Sequence, residues 1–145
     1  MYILGDIGNS ETKVYLINSK SKIIKNISLT TKKISNEILN QKFKYLVKDF
    51  KSIKKILFCS VVPKSFDLIK KFLSKNLKIK CYEVKELKLG SLINIKANFK
   101  QVGSDRLTNA ISLLNNKDNF IILDFGTATT FDIVTQKSYR GGIIA

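Results

Sequence analysis

Residues 121–132 read Ile-Ile-Leu-Asp-Phe-Gly-Thr-Ala-Thr-Thr-Phe-Asp, an apolar strand that ends in a carboxylate and then a glycine turn rich in hydroxyls. The N-terminus repeats this pattern, because residues 2–12 read Tyr-Ile-Leu-Gly-Asp-Ile-Gly-Asn-Ser-Glu-Thr. A second apolar strand follows each turn. The copies begin more than a hundred residues apart, with Asp6 matching Asp124. This spacing is too long for the period of a solenoid. The sequence therefore predicts a duplicated domain whose two hairpins face each other across a cleft.

The two copies are offset by 118 residues (124 − 6 = 118), because Asp6 in the first copy corresponds to Asp124 in the second. The same offset places Thr12 under Thr130 and residues 14–16 on the strand that follows the second turn. A chain of 145 residues has material for one domain of ordinary size, but not for two complete copies of such a unit. We therefore expect one complete domain and the beginning of its duplicate.

The composition indicates a folded chain with a positive field. Hydrophobic residues make up 44% of the sequence, which argues against disorder despite a formal charge of +15. Of the 26 basic residues only Arg106 and Arg140 are arginine, the residue that planar bidentate recognition favours, and the lysines are scattered. Nucleic acid is therefore not expected as a partner. The field would still attract anionic substrates such as nucleotides.

The chain contains no histidine, and Cys59 and Cys81 stand far apart in strand-like contexts. This excludes the usual zinc sites and any histidine-based catalytic triad, and it predicts two reduced cysteines. No apolar run approaches the ~18 residues of a membrane span, and the N-terminus lacks the pattern of a signal peptide. We therefore expect a cytoplasmic protein without a membrane segment.

Hydrophobic periodicity predicts strands and helices along the whole chain. Strands that alternate with helices imply parallel crossovers between them. The predicted order is a meander of strands at 2–6, 13–18 and 22–29, a helix at 36–50, a strand at 55–62, a helix at 65–75, a strand at 79–84, a loop at 86–101 with one short strand near 93–95, a helix from Ser104 or Asp105 to about 115–116, and a second meander at 120–125, 130–134 and 139–144.

The two glycine turns are candidates for binding phosphate. A tight turn exposes backbone N–H groups, and the neighbouring hydroxyls add further donors to phosphate oxygens. Asp6 and Asp124 would repel phosphate unless a cation lies between, so their functional interpretation is metal-mediated. The alternative is that both are ordinary hairpin turns of the Asx type. Neither a P-loop nor a Rossmann glycine motif is present.

A third candidate is the segment Gly103-Ser104-Asp105-Arg106 at the start of a predicted helix. Asp105 could act as general base on a hydroxyl nucleophile, and Arg106 could bind an anionic group of the substrate. The alternative is that Asp105 caps the helix and Arg106 is a solvated charge.

Five motifs in order resemble those of type III pantothenate kinases. They are Asp-Ile-Gly-Asn-Ser at 6–10, Ser-Val-Val-Pro at 60–63, Val-Gly-Ser-Asp-Arg at 102–106, the stretch at 124–132, and Tyr-Arg-Gly-Gly at 139–142. The resemblance implies an α/β chain with the ribonuclease H-like actin/Hsp70/sugar-kinase fold. One complete five-strand mixed sheet would form a first actin-like domain over residues 1–117, and residues 118–145 would form the first three-strand meander of an incomplete second domain.

The resemblance also implies the reaction, which is the ATP-dependent phosphorylation of pantothenate to 4′-phosphopantothenate, the first step of coenzyme A biosynthesis. It implies a homodimer when full length, a monovalent cation (potassium or ammonium), and magnesium accompanying ATP. By the same resemblance Asp105 would be the proton acceptor, Asp124 would bind the monovalent cation, pantothenate would be held by Gly103, Ser104, Asp105 and Arg106, and ATP would be bound by Asp6, Ile7, Gly8, Asn9, Ser10, Glu11, Thr12, Lys13 and Thr127.

Three departures from the family pattern stand out. Ser104 occupies a position where the family usually has alanine, Lys96 replaces a substrate-facing tyrosine, and the family continues well beyond the motif at 139–142. We therefore expect a truncated kinase or a fragment. The alternatives are an inactive truncated kinase, a non-catalytic nucleotide- or nucleic-acid-binding regulatory protein on the same fold, and another kinase of this superfold that acts on a sugar or acetate.

Overall fold

The computed structural model describes residues 1–46, 52–114 and 117–145. Its contacts divide the chain into two compact units, Met1–Val84 and Lys85–Ala145. Residues 85–114 thus group with the second sheet, whereas the family resemblance implies a first domain that extends to residue 117. The domain boundary after residue 117 stays a prediction.

Among its described residues, the first unit contains a five-stranded mixed sheet and two α-helices. The strands lie in the order β3-β2-β1-β4-β5, where β1, β2 and β3 form the predicted antiparallel meander and β4 and β5 run parallel to β1. The elements are β1 (Tyr2–Ile7), β2 (Glu11–Ile17), β3 (Ile23–Thr30), α1 (Asn36–Leu46), β4 (Lys55–Ser60), α2 (Pro63–Leu77) and β5 (Cys81–Glu83).

Alternation along the strands decides which face of the first sheet is buried. Ile3 and Ile7 of β1 point to the same face as Val14 of β2, and all three are buried in a core that includes Phe43 of α1 and Ile69 of α2. The parallel pairing of β4 with β1 and of β5 with β4, with helices in the connections, confirms the predicted parallel crossovers. The last predicted residues of α1 lie outside the described residues.

Helix α2 begins two residues before the predicted position. Pro63 is its first residue, because the first turn of a helix does not need the N–H group that proline lacks. Pro63 therefore both follows β4 and opens the next helix.

In the residues that the structure describes, the second unit contains a four-stranded sheet and one α-helix. The strands lie in the order β6-β9-β8-β7, and the elements are β6 (Asn94–Ile95), α3 (Ser104–Ser112), β7 (Asn119–Phe125), β8 (Thr129–Thr135) and β9 (Ser138–Ile144). The prediction of three strands in this sheet is incomplete, because β6 pairs parallel with β9. The backbone N–H of Asn94 donates to the carbonyl of Lys137 at 2.8 Å, and that of Lys96 donates to the carbonyl of Tyr139 at 2.9 Å.

The second hairpin turn is one residue shorter than the first. Ile7 pairs with Thr12 in the first hairpin, whereas Phe125 pairs with Thr129 in the second. Beyond the turn, equivalent positions are therefore 117 residues apart (129 − 12 = 117). The predicted match of Thr12 with Thr130 is wrong, because Thr12 corresponds to Thr129.

The face of the second sheet that corresponds to the buried face of the first is exposed at β7. Ile121 and Phe125 occupy the positions of Ile3 and Ile7, yet they are 69% and 76% exposed. Helix α3 instead contacts β8 from the opposite face of the sheet. None of the helices in the described part of the chain has the length and hydrophobicity that crossing a lipid bilayer requires.

Candidate functional site

A pair of buried threonines holds the first glycine turn from below. The hydroxyl of Thr31 donates to the carbonyl of Gly8 at 2.8 Å and lies 2.9 Å from the hydroxyl of Thr12. The backbone N–H of Thr31 donates to the carbonyl of Ser10 at 3.0 Å. Because Ser10 and Asn9 remain exposed, the turn presents its tip to solvent on a rigid base.

Two of the predicted ATP-binding residues are buried in this hairpin. Ile7 is 1% exposed and Thr12 is 0% exposed. A ligand at the surface could therefore meet only their main chain. The carboxylate of Asp6 is exposed, and it accepts a hydrogen bond from the Cys59 thiol at 3.3 Å.

Two predicted ATP contacts, Glu11 and Lys13, bind each other at the surface. Lys13 Nζ lies 3.3 Å from Glu11 Oε2, and the hydroxyl of Ser28 donates to the other oxygen of the carboxylate. The hydrogen bond from Ser28, helped by Lys13, lowers the pKa of Glu11, and the hydrogen bond to Glu11 raises the pKa of Lys13. A phosphate that bound Lys13 would compete with this carboxylate.

The second glycine turn, residues 126–128, is exposed and includes Thr127. The backbone N–H of Gly126 donates to the carbonyl of Ala128 at 3.1 Å, which closes the shorter loop. Asp124 precedes the turn and is half-buried, and its Oδ2 accepts a hydrogen bond from Asn109 Nδ2 at 3.0 Å. Asp124 is thereby joined to α3.

Asp124 also has a hydroxyl neighbour that suits a cation. Thr130 stands directly opposite Asp124 in the hairpin, so both side chains are on the same face. Thr130 Oγ1 is buried and has no hydrogen-bond partner among the residues that the structure describes. Those residues contain no group of three or more carboxylates or thiols that could hold a metal. The carboxylate and the hydroxyl would supply two oxygen ligands, the type that hard cations prefer.

Helix α3 presents Asp105 in its first turn. Gly103 precedes the helix in an extended conformation, and Ser104 is buried as the first helical residue. The backbone N–H of Arg106 donates to Asp105 Oδ1 at 2.8 Å. A carboxylate in this position is stabilised by the helix dipole.

The side chain of Arg106 is buried in an ion pair. Its Nε donates to both oxygens of Asp132, at 2.9 and 3.0 Å, and its Nη2 donates to Oδ1 at 2.6 Å. The hydroxyl of Tyr139 donates to the same Oδ1 at 2.5 Å. Asp132 and Tyr139 are 0% exposed and Arg106 is 9% exposed. The alternative interpretation of Arg106 as a solvated charge is therefore wrong.

Glycine at position 142 leaves room for this ion pair. A Cβ atom there would lie 1.9 Å from the carbonyl oxygen of Phe131, and 2.6 Å from both Arg106 Nη2 and Asp132 Oδ1. The motif at 139–142 thus supplies a hydroxyl and a close backbone approach to one charged cluster.

The model of the type III pantothenate kinase family matches residues 2–145. The chain belongs to this family. It is 61% identical over its full length to a type III pantothenate kinase of Pelagibacter ubique and 35% identical over 146 aligned positions to one of Finegoldia magna. The chain spans 58% of the length of the first relative and 56% of the second.

A solved structure of similar fold comes from Sinorhizobium meliloti, a protein assigned provisionally as a 2-dehydro-3-deoxygalactonokinase. The similarity has a TM-score of 0.55 at 10% identity and covers 99% of this chain and 54% of the other. At this identity the comparison concerns the fold alone. The chain has the predicted ribonuclease H-like actin/Hsp70/sugar-kinase fold.

Within the second unit, the structure brings together three family motifs that are separate in the sequence. Arg106 comes from the motif at 102–106, Asp132 from the motif at 124–132 and Tyr139 from the motif at 139–142. Sequence reasoning missed Asn109, although its spacing of four residues from Asp105 places both on one side of α3. Lys96, one of the three expected departures from the family pattern, is exposed at the end of β6.

The Tyr139 hydroxyl should make stability fall at alkaline pH. Burial raises its pKa well above the ordinary value of 10.0, and the hydrogen bond to Asp132 and the charge of Asp105 raise it further, while Arg106 lowers it. Above pH ~10 the unfolded chain loses this proton and the folded chain keeps it, so the free energy of unfolding should fall by up to about 1.4 kcal/mol per pH unit.

Urea unfolding from about pH 8 to 11 would measure this effect, with Tyr139→Phe as the comparison because lysines also titrate in this range. The wild-type chain should lose stability more steeply than the variant. Parallel curves for the two proteins would contradict the raised pKa of Tyr139.

Proposed function

We propose that this chain catalyses the ATP-dependent phosphorylation of pantothenate to 4′-phosphopantothenate, the first step of coenzyme A biosynthesis. Membership of the family supports the class of reaction. The roles of Asp105 and Arg106 are supported by the geometry at the start of α3. There Asp105 is half-buried and its neighbour Arg106 is fixed by Asp132.

In this mechanism Asp105 is the general base. Its carboxylate takes the proton of the pantothenate 4′-hydroxyl, and the hydroxyl oxygen forms a bond to the γ-phosphorus of ATP. The bond from that phosphorus to the β,γ-bridging oxygen breaks, and ADP leaves with the electron pair. The hydrogen bond from the backbone of Arg106 holds the Asp105 carboxylate in one orientation.

Pantothenate would lie against the start of α3. Its carboxylate would pair with the guanidinium of Arg106, since that group binds planar anions well. Gly103 would contribute its main chain, and so would Ser104, whose side chain is buried.

ATP would be bound by the glycine turns. Asp6, Gly8, Asn9 and Ser10 would meet the phosphates at the first turn, Ile7 and Thr12 would do so through their main chain, and Glu11 and Lys13 would flank them. Thr127 would contact ATP from the second turn. The rigid base under the first turn supports this role, because a preorganised turn loses little freedom on binding.

Asp124 and Thr130 would hold the monovalent cation, potassium or ammonium, and magnesium would accompany ATP. The cation would supply positive charge next to the phosphates of the nucleotide. The buried hydroxyl of Thr130, which lacks a partner among the described residues, supports this assignment. We further propose that the complete protein is a cytoplasmic homodimer.

An acceptor panel tests this function. The assay would follow ADP release by the 145-residue chain and by an extended chain, in which the part of the Pelagibacter relative that this chain does not match is joined to it. Pantothenate, but not a hexose or acetate, should stimulate ADP release. Stimulation by the hexose or acetate would identify a different kinase. ATP binding without turnover of any acceptor in either protein would favour the non-catalytic regulator.

A further inference from the structure

We propose that Asp132 and Tyr139 are positioning residues for pantothenate recognition, which hold the Arg106 guanidinium so that its Nη1 edge faces the substrate carboxylate. This inference rests on the proposed function. It assigns a role to two buried side chains that do not themselves touch the reacting atoms.

The hydrogen bonds of Arg106 leave one nitrogen for a ligand. Nε and Nη2 both donate to Asp132. Among the described residues none accepts a hydrogen bond from Nη1, and the Arg106 side chain keeps 10% of its surface exposed. The Nε and Nη2 atoms of the guanidinium are therefore bonded within the protein, and Nη1 is the nitrogen that we assign to an anion.

Asp132 is fixed from two sides. Its Oδ1 accepts hydrogen bonds from Arg106 on α3 and from the Tyr139 hydroxyl on β9. Charge-assisted hydrogen bonds of this kind are about twice as strong as neutral ones. Without the hydroxyl of Tyr139 the carboxylate could rotate about its terminal bond, and the plane of the guanidinium would follow it.

An irregularity in β9 brings this tyrosine into place. The pairing with β8 shifts by one residue, so that Val134 faces Tyr139 while Ile133 faces Gly141, whose φ is +110°. Arg140 is the extra residue. Bulges of this type redirect a side chain next to a functional site. Here the bulge lets both Tyr139 and Gly142 reach Asp132.

Stability alone does not explain the buried ion pair of Arg106 and Asp132. A buried ion pair adds little net stability compared with apolar residues of the same shape, because both charges lose their hydration. What it does provide is one fixed orientation of a charged group. Because Asp105 accepts its hydrogen bond from the backbone of Arg106 and not from the side chain, a change in the orientation of the guanidinium should leave the base in place.

The test compares Tyr139→Phe and Asp132→Asn with the control Tyr82→Phe, whose tyrosine lies on β5 in the first unit. Each change would be made in the 145-residue chain and in the extended chain, and the KM for pantothenate, the KM for ATP and kcat would be measured where circular dichroism shows a folded protein. Tyr139→Phe should raise the KM for pantothenate about tenfold, the effect of losing one hydrogen bond to a charged group. The KM for ATP and kcat should change less than about twofold, and Asp132→Asn should raise the KM for pantothenate further.

An unchanged KM for pantothenate in folded Tyr139→Phe would overturn the inference, even if its melting temperature fell, because that is the result of a purely structural role. If Asp132→Asn does not fold, Tyr139→Phe decides alone. Equal rises in both KM values would also overturn it. Absence of pantothenate turnover in both wild-type proteins would refute the proposed function and this inference with it, whereas wild-type turnover with an unaffected Tyr139→Phe would refute the inference alone.

Discussion

Asp105→Asn should reduce kcat for pantothenate phosphorylation by about 10³-fold while the affinity for ATP changes less than about twofold. Asparagine has the size of aspartate and can still accept the hydrogen bond that the backbone of Arg106 donates to Asp105. The start of α3 should therefore keep its geometry and lose only the ability to take a proton. Steady-state kinetics and calorimetric titration with a non-hydrolysable ATP analogue would measure the two effects.

The matched control is Asp67→Asn, since Asp67 is an exposed acid on α2. It should leave both kcat and ATP binding unchanged. An Asp105→Asn protein with undiminished kcat would exclude Asp105 as the base. Equal loss of turnover and ATP binding would place Asp105 in nucleotide binding instead.

Gly142→Ala should destabilise the chain by at least about 3 kcal/mol, because the added methyl group has no room and displaces a buried ion pair. Its Cβ atom would lie 1.9 Å from the backbone oxygen of Phe131, which cannot move aside as a flexible side chain could. The same methyl group would press on Arg106 and Asp132. Thermal unfolding followed by circular dichroism should show a melting temperature lower by about 10 °C or more.

Gly90→Ala is the control for this change, because a Cβ atom at position 90 meets nothing within 4 Å. Its melting temperature should stay within about 2 °C of the wild-type value. A Gly142→Ala protein as stable as the Gly90→Ala protein would mean that β9 can shift away from the ion pair at little cost.

The sequence predicts the strands and helices of this chain well, because most of them bury one face. Alternation in residues 2–6 and 13–18 marks strands that do line a core. The short strand near 93–95 is also confirmed, but its partner β9 lies more than forty residues away and no local pattern indicates that pairing.

The length of the second turn could not be predicted. Both turns begin with an aspartate, an apolar residue and a glycine, so the sequence suggests one uniform offset. The difference arises in the backbone, where Gly8 donates to the carbonyl of Glu11 but Gly126 donates to that of Ala128. A single residue thus reverses which side chains of β8 face each side of the sheet.

The ion pair of Arg106 with Asp132 could not be predicted from the sequence either. Asp132 interrupts the apolar run Phe131-Asp132-Ile133-Val134, and a carboxylate at an inward position needs a cationic partner. The sequence contains 26 basic residues that could play this part. Only the packing of α3 on β8 selects Arg106. The support of the first turn by Thr31 has no sequence signal, since Thr31 lies nineteen residues beyond Thr12.

The central claim is that this chain provides the catalytic groups for transfer of a phosphoryl group from ATP to pantothenate. Its most direct test is mass spectrometry of the products formed from ATP and pantothenate by the 145-residue chain and by the extended chain. The account predicts 4′-phosphopantothenate and ADP in equal amounts from at least one of the two, and neither product in excess of background from their Asp105→Asn variants. ATP binding by both proteins with no phosphorylated pantothenate from either would contradict it.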